Sequence, residues 1–314
     1  MKTKIYIDGQ EGTTGLKIME RFENRNDIEL LKIDSDKRKD SAERQKMINS
    51  SDFTFLCLPD AASIEAVSLA NDKVRLIDAS TAHRTNPAWA YGFPELSAKH
   101  RENIEKSNRV AVPGCYASGF ISLIYPLVDK GVVPKNYPVT CFASSGYSGG
   151  GKKMIADYEA ENRSDEMNSA RFYALTLSHK HLPEMKYVCG LDSKPLFSPF
   201  VSDHFSGMTV MVPIHTSLLS KKYTAKDFHE VLAEHYADQN MVNVMNFGGE
   251  GVLENGVLYS GTMSGSNKMQ IFVFGNDEQI LLGSRFDNLG KGASGAAVQC
   301  LNIMMGIDET TGLV

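Results

Sequence analysis

No uncharged apolar run in this chain approaches the ~18–20 residues that a membrane-spanning helix requires. The N-terminal Met-Lys-Thr-Lys-Ile-Tyr-Ile-Asp-Gly9 holds no apolar signal region either. A soluble, cytoplasmic protein with no membrane partner is therefore expected. Clustered basic charge is scarce: Lys37-Arg38-Lys39 stands against a net charge of −5, so nucleic-acid binding is not expected. Cys-x-x-Cys is missing and the cysteine count, 5, is odd, which argues against a disulfide framework and a cysteine zinc site. A reducing compartment fits that usage. No internal repeat or low-complexity linker is visible. What remains is an ordinary globular composition, 42% hydrophobic and 23% charged over 314 residues, enough for two domains or one large one.

Of the five cysteines, Cys115 is the one placed for chemistry. It lies in Val112-Pro-Gly-Cys-Tyr-Ala-Ser118, and the chain from Tyr116 to Lys130 reads as a helix. Phe120, Leu123, Ile124, Leu127 and Val128 recur at three- and four-residue spacing, and Gly131 follows as a C-cap. Cys115 thus falls at a helix N-terminus, where unpaired N–H groups and the macrodipole favour an anion, here a nucleophilic thiolate. The alternative is a buried structural cysteine. Cys57 and Cys141 lie in strand-like apolar runs, Cys300 in a helix-like one and Cys189 after Tyr-Val; all four read as small core residues.

The first third carries a nucleotide-binding pattern. Lys4–Asp8 is strand-like and runs into Gly9-Gln-Glu-Gly12-Thr13-Thr14-Gly15, after which a helix places Leu16, Met19 and Phe22 on one face. A tight glycine turn between strand and helix lets the backbone approach a pyrophosphate resting on the helix N-terminus. Strand-like Glu29–Ile33, Phe53–Leu58, Val74–Ala79 and Arg109–Val112 alternate with helical Ser41–Asn49 and Ala61–Ala70. That alternation predicts a Rossmann-like, doubly wound parallel sheet whose ligands gather at the carboxyl ends of the strands. At the second strand end, Asp34 suits the ribose hydroxyl of NAD. Ser35, Lys37, Arg38 and Lys39 suit the 2′-phosphate of NADP, so local chemistry leans only slightly to NADP.

From about residue 137 the chain turns strand-rich: Val139–Ser144, Phe197–Val201, Met208–His215, Val257–Thr262, Met269–Phe274 and Ile280–Arg285. With helices at 152–162, Ala225–Gln239 and about 288–305, the pattern predicts an α+β catalytic and dimerisation domain with a mixed sheet. The expected domains are 1–117 with 288–314, and 118–287. The small residues of Ser144-Ser-Gly-Tyr-Ser-Gly-Gly-Gly-Lys152 suit backbone N–H contacts to an anion, or a simple mobile turn. His179-Lys-His-Leu-Pro-Glu184 holds two imidazoles, but spacing marks no third ligand, so no metal is expected. A histidine serving a cysteine nucleophile is the stronger reading, with His83, His204 and His215 as competitors.

Taken in order and spacing, Gly9–Gly15, Asp78-Ala-Ser-Thr-Ala-His-Arg84, Tyr91-Gly-Phe-Pro-Glu95, Pro113-Gly-Cys-Tyr116, Ser145–Lys152, His179–Glu184 and Asp287-Asn-Leu-Gly-Lys-Gly-Ala-Ser-Gly-Ala-Ala-Val-Gln299 closely resemble the short-chain N-acetyl-gamma-glutamyl-phosphate reductase family. That family is related in fold and mechanism to the aspartate-semialdehyde and glyceraldehyde-3-phosphate dehydrogenases. The resemblance implies an enzyme of arginine biosynthesis that reduces N-acetyl-glutamyl 5-phosphate with NADPH through a cysteine thioester, acting as a homodimer or homotetramer. It implies Cys115 as nucleophile and His179, with His181 as rival, as the acid/base group. For NADP it implies Gly9, Gly12, Thr13, Thr14, Gly15, Ser35, Arg38, Ser148, Gly149 and Asn288. For the small acyl-phosphate substrate it implies Ser80, His83, Arg84, Ser145 and Glu184. Lys180 stands where the family often has arginine. A paralogous reductase acting on aminoadipyl or aspartyl phosphate shares nearly every motif, and a non-catalytic dinucleotide sensor is the alternative of a different class.

Overall fold

The computed structural model describes residues 2–276 and 278–313. The chain divides into two units, one running up to Gly114 and resuming at Ala293, the other Cys115–Gly292.

In the first unit β1 (Thr3–Asp8), α1 (Thr13–Phe22), β2 (Ile28–Leu31), α2 (Ser41–Ser50), β3 (Phe53–Leu56), α3 (Asp60–Leu69), β4 (Arg75–Asp78), β5 (Ala90–Tyr91), α4 (Ala98–Lys106) and β6 (Arg109–Ala111) follow in order. The strands form one wholly parallel sheet in the order β2-β1-β3-β4-β6-β5. Continuous apolar strands are what a sheet covered on both faces demands, and all four residues of β3 are buried. Tyr6, Ile33, Ile48, Leu56, Ala66, Val74 and Leu76 pack as one cluster of this core. Asp40 caps α2 by accepting from the N–H groups of Ala42 and Glu43.

Two local expectations change here. The buried face of α1 is Gly15, Ile18 and Phe22, while Leu16 is exposed. The N-terminal glycine must face the loop, and Gly15 sets the helix rotation. α4 shows no apolar periodicity, since Ile104 is its one buried residue; its marker is Ser97, whose hydroxyl accepts from His100 N–H.

The second unit contains α5 (Cys115–Asp129), β7 (Thr140–Gly146), α6 (Gly151–Glu159), β8 (Arg171–Phe172), α7 (Leu182–Cys189), β9 (Leu196–Ser202), β10 (Met208–His215), α8 (Ala225–His235), β11 (Val242–Val244), β12 (Met269–Gly275) and β13 (Gln279–Phe286). Its sheet is mixed, β11-β12-β13-β10-β7-β9-β8, with β7/β9 and β11/β12 parallel and the other pairs antiparallel. The helix α5 is buried nearly all round and lies against β10 and β13. It comes so close that a β-carbon on Gly119 would sit 2.5 Å from Val210 and 2.7 Å from Ser284. Pro126 inside α5 has no N–H for the Ser122 carbonyl four residues back. The Tyr236 hydroxyl donates to that oxygen instead, at 2.9 Å, so the helix runs through its proline. Gly131 takes φ 69° after the helix, as a C-cap glycine should.

The expected strand at Val257–Thr262 does not form. Among the described residues this stretch has one isolated bridge, Glu254 to Val257, and a 3₁₀ turn at Ser260–Met263. Asn255 and Gly256, both at positive φ, make the tight turn that closes the bridge, and the 3₁₀ turn ends the extended run after it. The helix expected at 152–162 ends at Glu159, and that expected to reach Gln239 ends at His235. Pro183 in its first turn and left-handed Gly190 after it both mark α7. The C-terminal helix begins as a π-helical turn, Gly290–Ser294, and continues as α9 (Gly295–Met304), which packs on α4 in the first unit.

Candidate active site

In the first unit the sheet order reverses between β1 and β3, the switch point at which open α/β sheets bind ligands. A cavity of about 310 Å³ opens there, lined by Asp8–Gly12 after β1, Ile33, Arg38 and Lys39 after β2, and Cys57, Leu58 and Pro59 after β3. Gly9 has φ 89°, and a β-carbon on it would lie 2.3 Å from the Cys57 carbonyl oxygen; one on Gly15 would lie 2.6 Å from the Gly9 oxygen. Only glycine fits either place. Gly12 precedes Thr13 and Thr14 at the start of α1 and offers no side chain to its first N–H groups, leaving them for an anion.

Arg38 and Lys39 line this cavity; Lys37 does not, and its ammonium stands 3.8 Å from the exposed Asp34 carboxylate. Ser35 is exposed in the same turn. Cys57 is thus part of the crevice rather than an interior strand residue, since β3 ends at Leu56; burial and the nearby Asp78 and Asp8 push its thiol well up, so it is inert. Beneath the loop, Arg44 Nε and Nη2 donate to Asp8 at 3.1 and 2.9 Å, and Nη1 to Glu65 at 3.1 Å. Burial pushes the Asp8 carboxyl up against the pull of Arg44. The arginine offsets a carboxylate that would otherwise repel bound phosphates. Arg44 was invisible in sequence because it sits in an otherwise polar helix.

The loop after β4 is a knot around Asp78. Its buried carboxylate accepts from the Ser63 hydroxyl at 2.9 Å and from the Ser80 N–H and hydroxyl at 2.9 and 2.7 Å. It also lies 2.6 Å from His83 Nδ1, and the imidazole stacks on Trp89 at 4.1 Å. Arg84 is buried, with Nε donating to the Val112 carbonyl at 2.8 Å and Nη2 to that of Ala79 at 3.0 Å.

In the second unit Cys115 begins α5 and is half-buried. Beside it Tyr116 is the hub of an aromatic cluster: its ring centroid lies 5.6 Å from His179, 6.0 Å from His181, 6.5 Å from Tyr173 and 5.2 Å from Phe197. The structure therefore brings both histidines of the His-x-His motif to the residue that follows Cys115. The backbone N–H of His181 donates to His179 Nδ1 at 3.1 Å, so the neutral His179 ring carries its proton on Nε2. Burial, aided by the Lys180 charge, pulls the His179 pKa down to about 4. Burial drives the Tyr116 phenol up, and pushes that of Tyr173 up to about 12; a negative charge on Cys115 adds to both. Glu184 is buried in the first turn of α7. His204 Nε2 meets the Gly207 carbonyl at 3.2 Å, and His215 is exposed at the end of β10.

The glycine-rich loop after β7 behaves differently from expectation. The N–H groups of Gly146, Tyr147 and Ser148 donate to the carbonyls of Gly207, His204 and Phe205, at 2.9, 2.9 and 3.0 Å, instead of turning to an anion. Asn288 locks that arrangement: its amide donates to Ser148 Oγ at 3.0 Å and its carbonyl oxygen accepts from Gly207 N–H at 2.8 Å. Around Gly149 little room is left, since an added β-carbon would lie 3.1 Å from Ser145 Oγ and 3.3 Å from Asn288 Nδ2. Among the described residues no group of three His, Cys, Asp or Glu side chains is arranged to hold a metal.

Residues 4–106 match the model of the semialdehyde dehydrogenase NAD-binding domain and 115–288 that of the semialdehyde dehydrogenase dimerisation domain. Across nearly the whole chain the likeness is closer still. N-acetyl-gamma-glutamyl-phosphate reductase 2 of Nostoc sp. is 45% identical, with 99% of both chains covered. The enzyme named N-acetyl-gamma-glutamyl-phosphate reductase from Rhizobium meliloti is 46% identical, covering 97% of this chain and 99% of its own. The chain belongs to the N-acetyl-gamma-glutamyl-phosphate reductase family. Its fold extends beyond the reductase family: aspartate semialdehyde dehydrogenase II from Vibrio cholerae superposes with a TM-score of 0.71 at 13% identity, covering 98% of this chain and 99% of that one. A probable aspartate-semialdehyde dehydrogenase from Pseudomonas aeruginosa gives 0.73 at 13% identity, with 97% and 99% covered. For a member of the reductase family the mixed sheet is thus the dimerisation domain and the parallel sheet the nucleotide domain.

Proposed function

We propose that this chain reduces N-acetyl-glutamyl 5-phosphate to N-acetyl-glutamate 5-semialdehyde and phosphate, using NADPH and a thioester on Cys115. The observation that carries the chemistry is Cys115 at the first residue of α5, next to a tyrosine whose ring contacts both His179 and His181. The full-length likeness to reductases of that name supports the substrate. The glycine loop, the open start of α1 and the Arg38–Lys39 edge of the cavity fit a dinucleotide carrying a 2′-phosphate.

The Cys115 thiolate, favoured by the helix start, attacks the acyl carbonyl; the carbon–sulfur bond forms, the carbon–oxygen bond to phosphate breaks, and phosphate leaves with a proton. NADPH supplies hydride to the thioester carbonyl. The oxygen then bears the negative charge, and the neutral His179 imidazole is suited to stabilise it by donating from Nε2, as a histidine held below its ordinary pKa does elsewhere. Collapse of the thiohemiacetal returns the thiolate and frees the aldehyde. The proton for the departing phosphate falls to His181, the second ring of the pair.

A substrate panel tests this reading in the oxidative direction, with NADP, phosphate and aldehydes of N-acetyl-glutamate, aspartate and aminoadipate. NADPH should accumulate with the N-acetylated aldehyde by far the fastest. Preference for another aldehyde would point to a paralogous reductase, and no reduction with any to a dinucleotide sensor.

The partner is a second copy. Helices cover one face of the mixed sheet, while Phe142, Phe172 and Leu196 stay exposed on β7, β8 and β9, with Phe172 5.0 Å from Phe200. A homodimer or homotetramer built on this side covers them. Among the described residues no helix is long and apolar enough to cross a membrane, and a cytoplasmic setting keeps the thiols reduced.

A further inference from the structure

The hydroxyl of Tyr116 ties together three separate stretches of the second unit. It belongs to the first turn of α5, and the side chains of Tyr173 and Ser145 lie within its hydrogen-bonding reach. Ser145 stands at the end of β7, and Tyr173 begins the segment that leads into His179. That segment is strained. Ala174 and Leu177 hold φ of 52° and 56°, two of the three non-glycine residues with positive φ among the described residues. The left-handed region is unfavourable for side chains with a β-carbon, and such strain persists where the surroundings over-determine it. Inside the segment the Leu177 N–H donates to the Ala174 carbonyl at 2.9 Å. Its two ends are the aromatic residues Tyr173 and His179, 5.8 Å apart, and both pack on the ring of Tyr116.

We infer that Tyr116 is a positioning residue: through its bond to Tyr173 its hydroxyl holds the strained 173–179 segment, and so sets the His179 imidazole relative to Cys115. The site therefore depends on a phenol that takes no part in the bond changes. Burial, with the charge of Cys115 added to it, keeps both phenols protonated, so the contact between them survives formation of the thiolate. This role rests on the reading of Cys115 and His179 given above.

The test is a double-mutant cycle on the full-length enzyme, with Tyr116→Phe, Tyr173→Phe and His179→Asn made singly and in pairs. Each Phe variant keeps its ring and loses one hydroxyl. Each should lower kcat about tenfold, in line with loss of one well-made hydrogen bond, with KM for the substrate changed less than about twofold. The Tyr116→Phe/Tyr173→Phe pair should be no slower than either single variant, because both remove the same bond. Adding either to His179→Asn should cost nothing more, because the histidine they position is gone. The rate of Cys115 alkylation by iodoacetamide should be unchanged in both Phe variants. Multiplying losses in the His179→Asn background, or an unchanged kcat in both Phe variants, would overturn the proposal. A normal rate for His179→Asn alone would instead remove His179 from the mechanism, which separates failure of the site reading from failure of this one. Should Tyr116→Phe fail to fold, Tyr173→Phe breaks the same bond from the less buried partner and carries the same comparison.

Discussion

A β-carbon on Gly292 would stand 3.1 Å from the β-carbon of Cys115, and as close to the Asp287 carbonyl oxygen and the Phe286 ring. The glycine thereby gives the thiol-bearing residue its space. Gly292→Ala should fold, since neighbours need yield only by tenths of an ångström, but the displaced thiol should lower kcat by about tenfold or more. Steady-state rates beside an unchanged circular dichroism spectrum check this, and full activity would show that the thiol tolerates the shift.

Cys115→Ser should keep the fold and bind NADPH while losing nearly all turnover, because a serine hydroxyl is far harder to ionise than a thiol. Fluorescence titration of NADPH together with a turnover assay measures both halves. Substantial residual turnover removes Cys115 as nucleophile.

Arg38→Ala should raise the KM for NADPH by about ten- to a hundredfold while leaving that for NADH nearly unchanged, through loss of a charge-assisted contact to the 2′-phosphate. Lys37→Ala should have little effect, since Lys37 faces Asp34 and lies off the cavity. Equal shifts for both cofactors in Arg38→Ala would leave the basic turn a solvated loop.

The His179 pKa near 4, against about 6.5 for an unfolded histidine, gives a signed pH dependence. Between those values the unfolded chain binds the extra proton, so stability rises with pH across the window and is lost as pH falls from about 6.5 toward 4. Allowing for partial exposure, the loss is about 1–2 kcal/mol. Urea midpoints taken along this range should fall more steeply for the unaltered chain than for His179→Asn; parallel curves would mean the histidine titrates normally.

Phe142→Asp with Leu196→Asp should shift the protein toward monomer in sedimentation velocity, because both side chains are exposed on neighbouring strands of the mixed sheet. An unchanged sedimentation coefficient would place the contact between copies on another face.

The elements legible in sequence were those whose cause is local. A strand, a tight glycine turn and a helix start follow from neighbouring residues, so Gly9–Gly15 and the placement of Cys115 at the head of α5 could be read directly. The parallel sheet followed from alternation of apolar strands with helices. Val257–Thr262 has strand-like apolar spacing, yet beyond the tight turn at Asn255-Gly256 its pairing stops at one bridge, Glu254 to Val257, and the chain enters a 3₁₀ turn at Ser260–Met263.

Sequence alone thus determined that Cys115 stands at the head of α5 and which backbone positions must be glycine, because a helix start and the room needed at a tight turn are short-range matters. Tertiary structure decided which partners those residues meet. Arg44 reaches Asp8 across 36 positions, Tyr236 satisfies Ser122 across 114, and Asn288 joins Ser148 across 140. No periodicity records such pairs, since each depends on where packing against a sheet happens to bring a polar group that burial then obliges to find a partner.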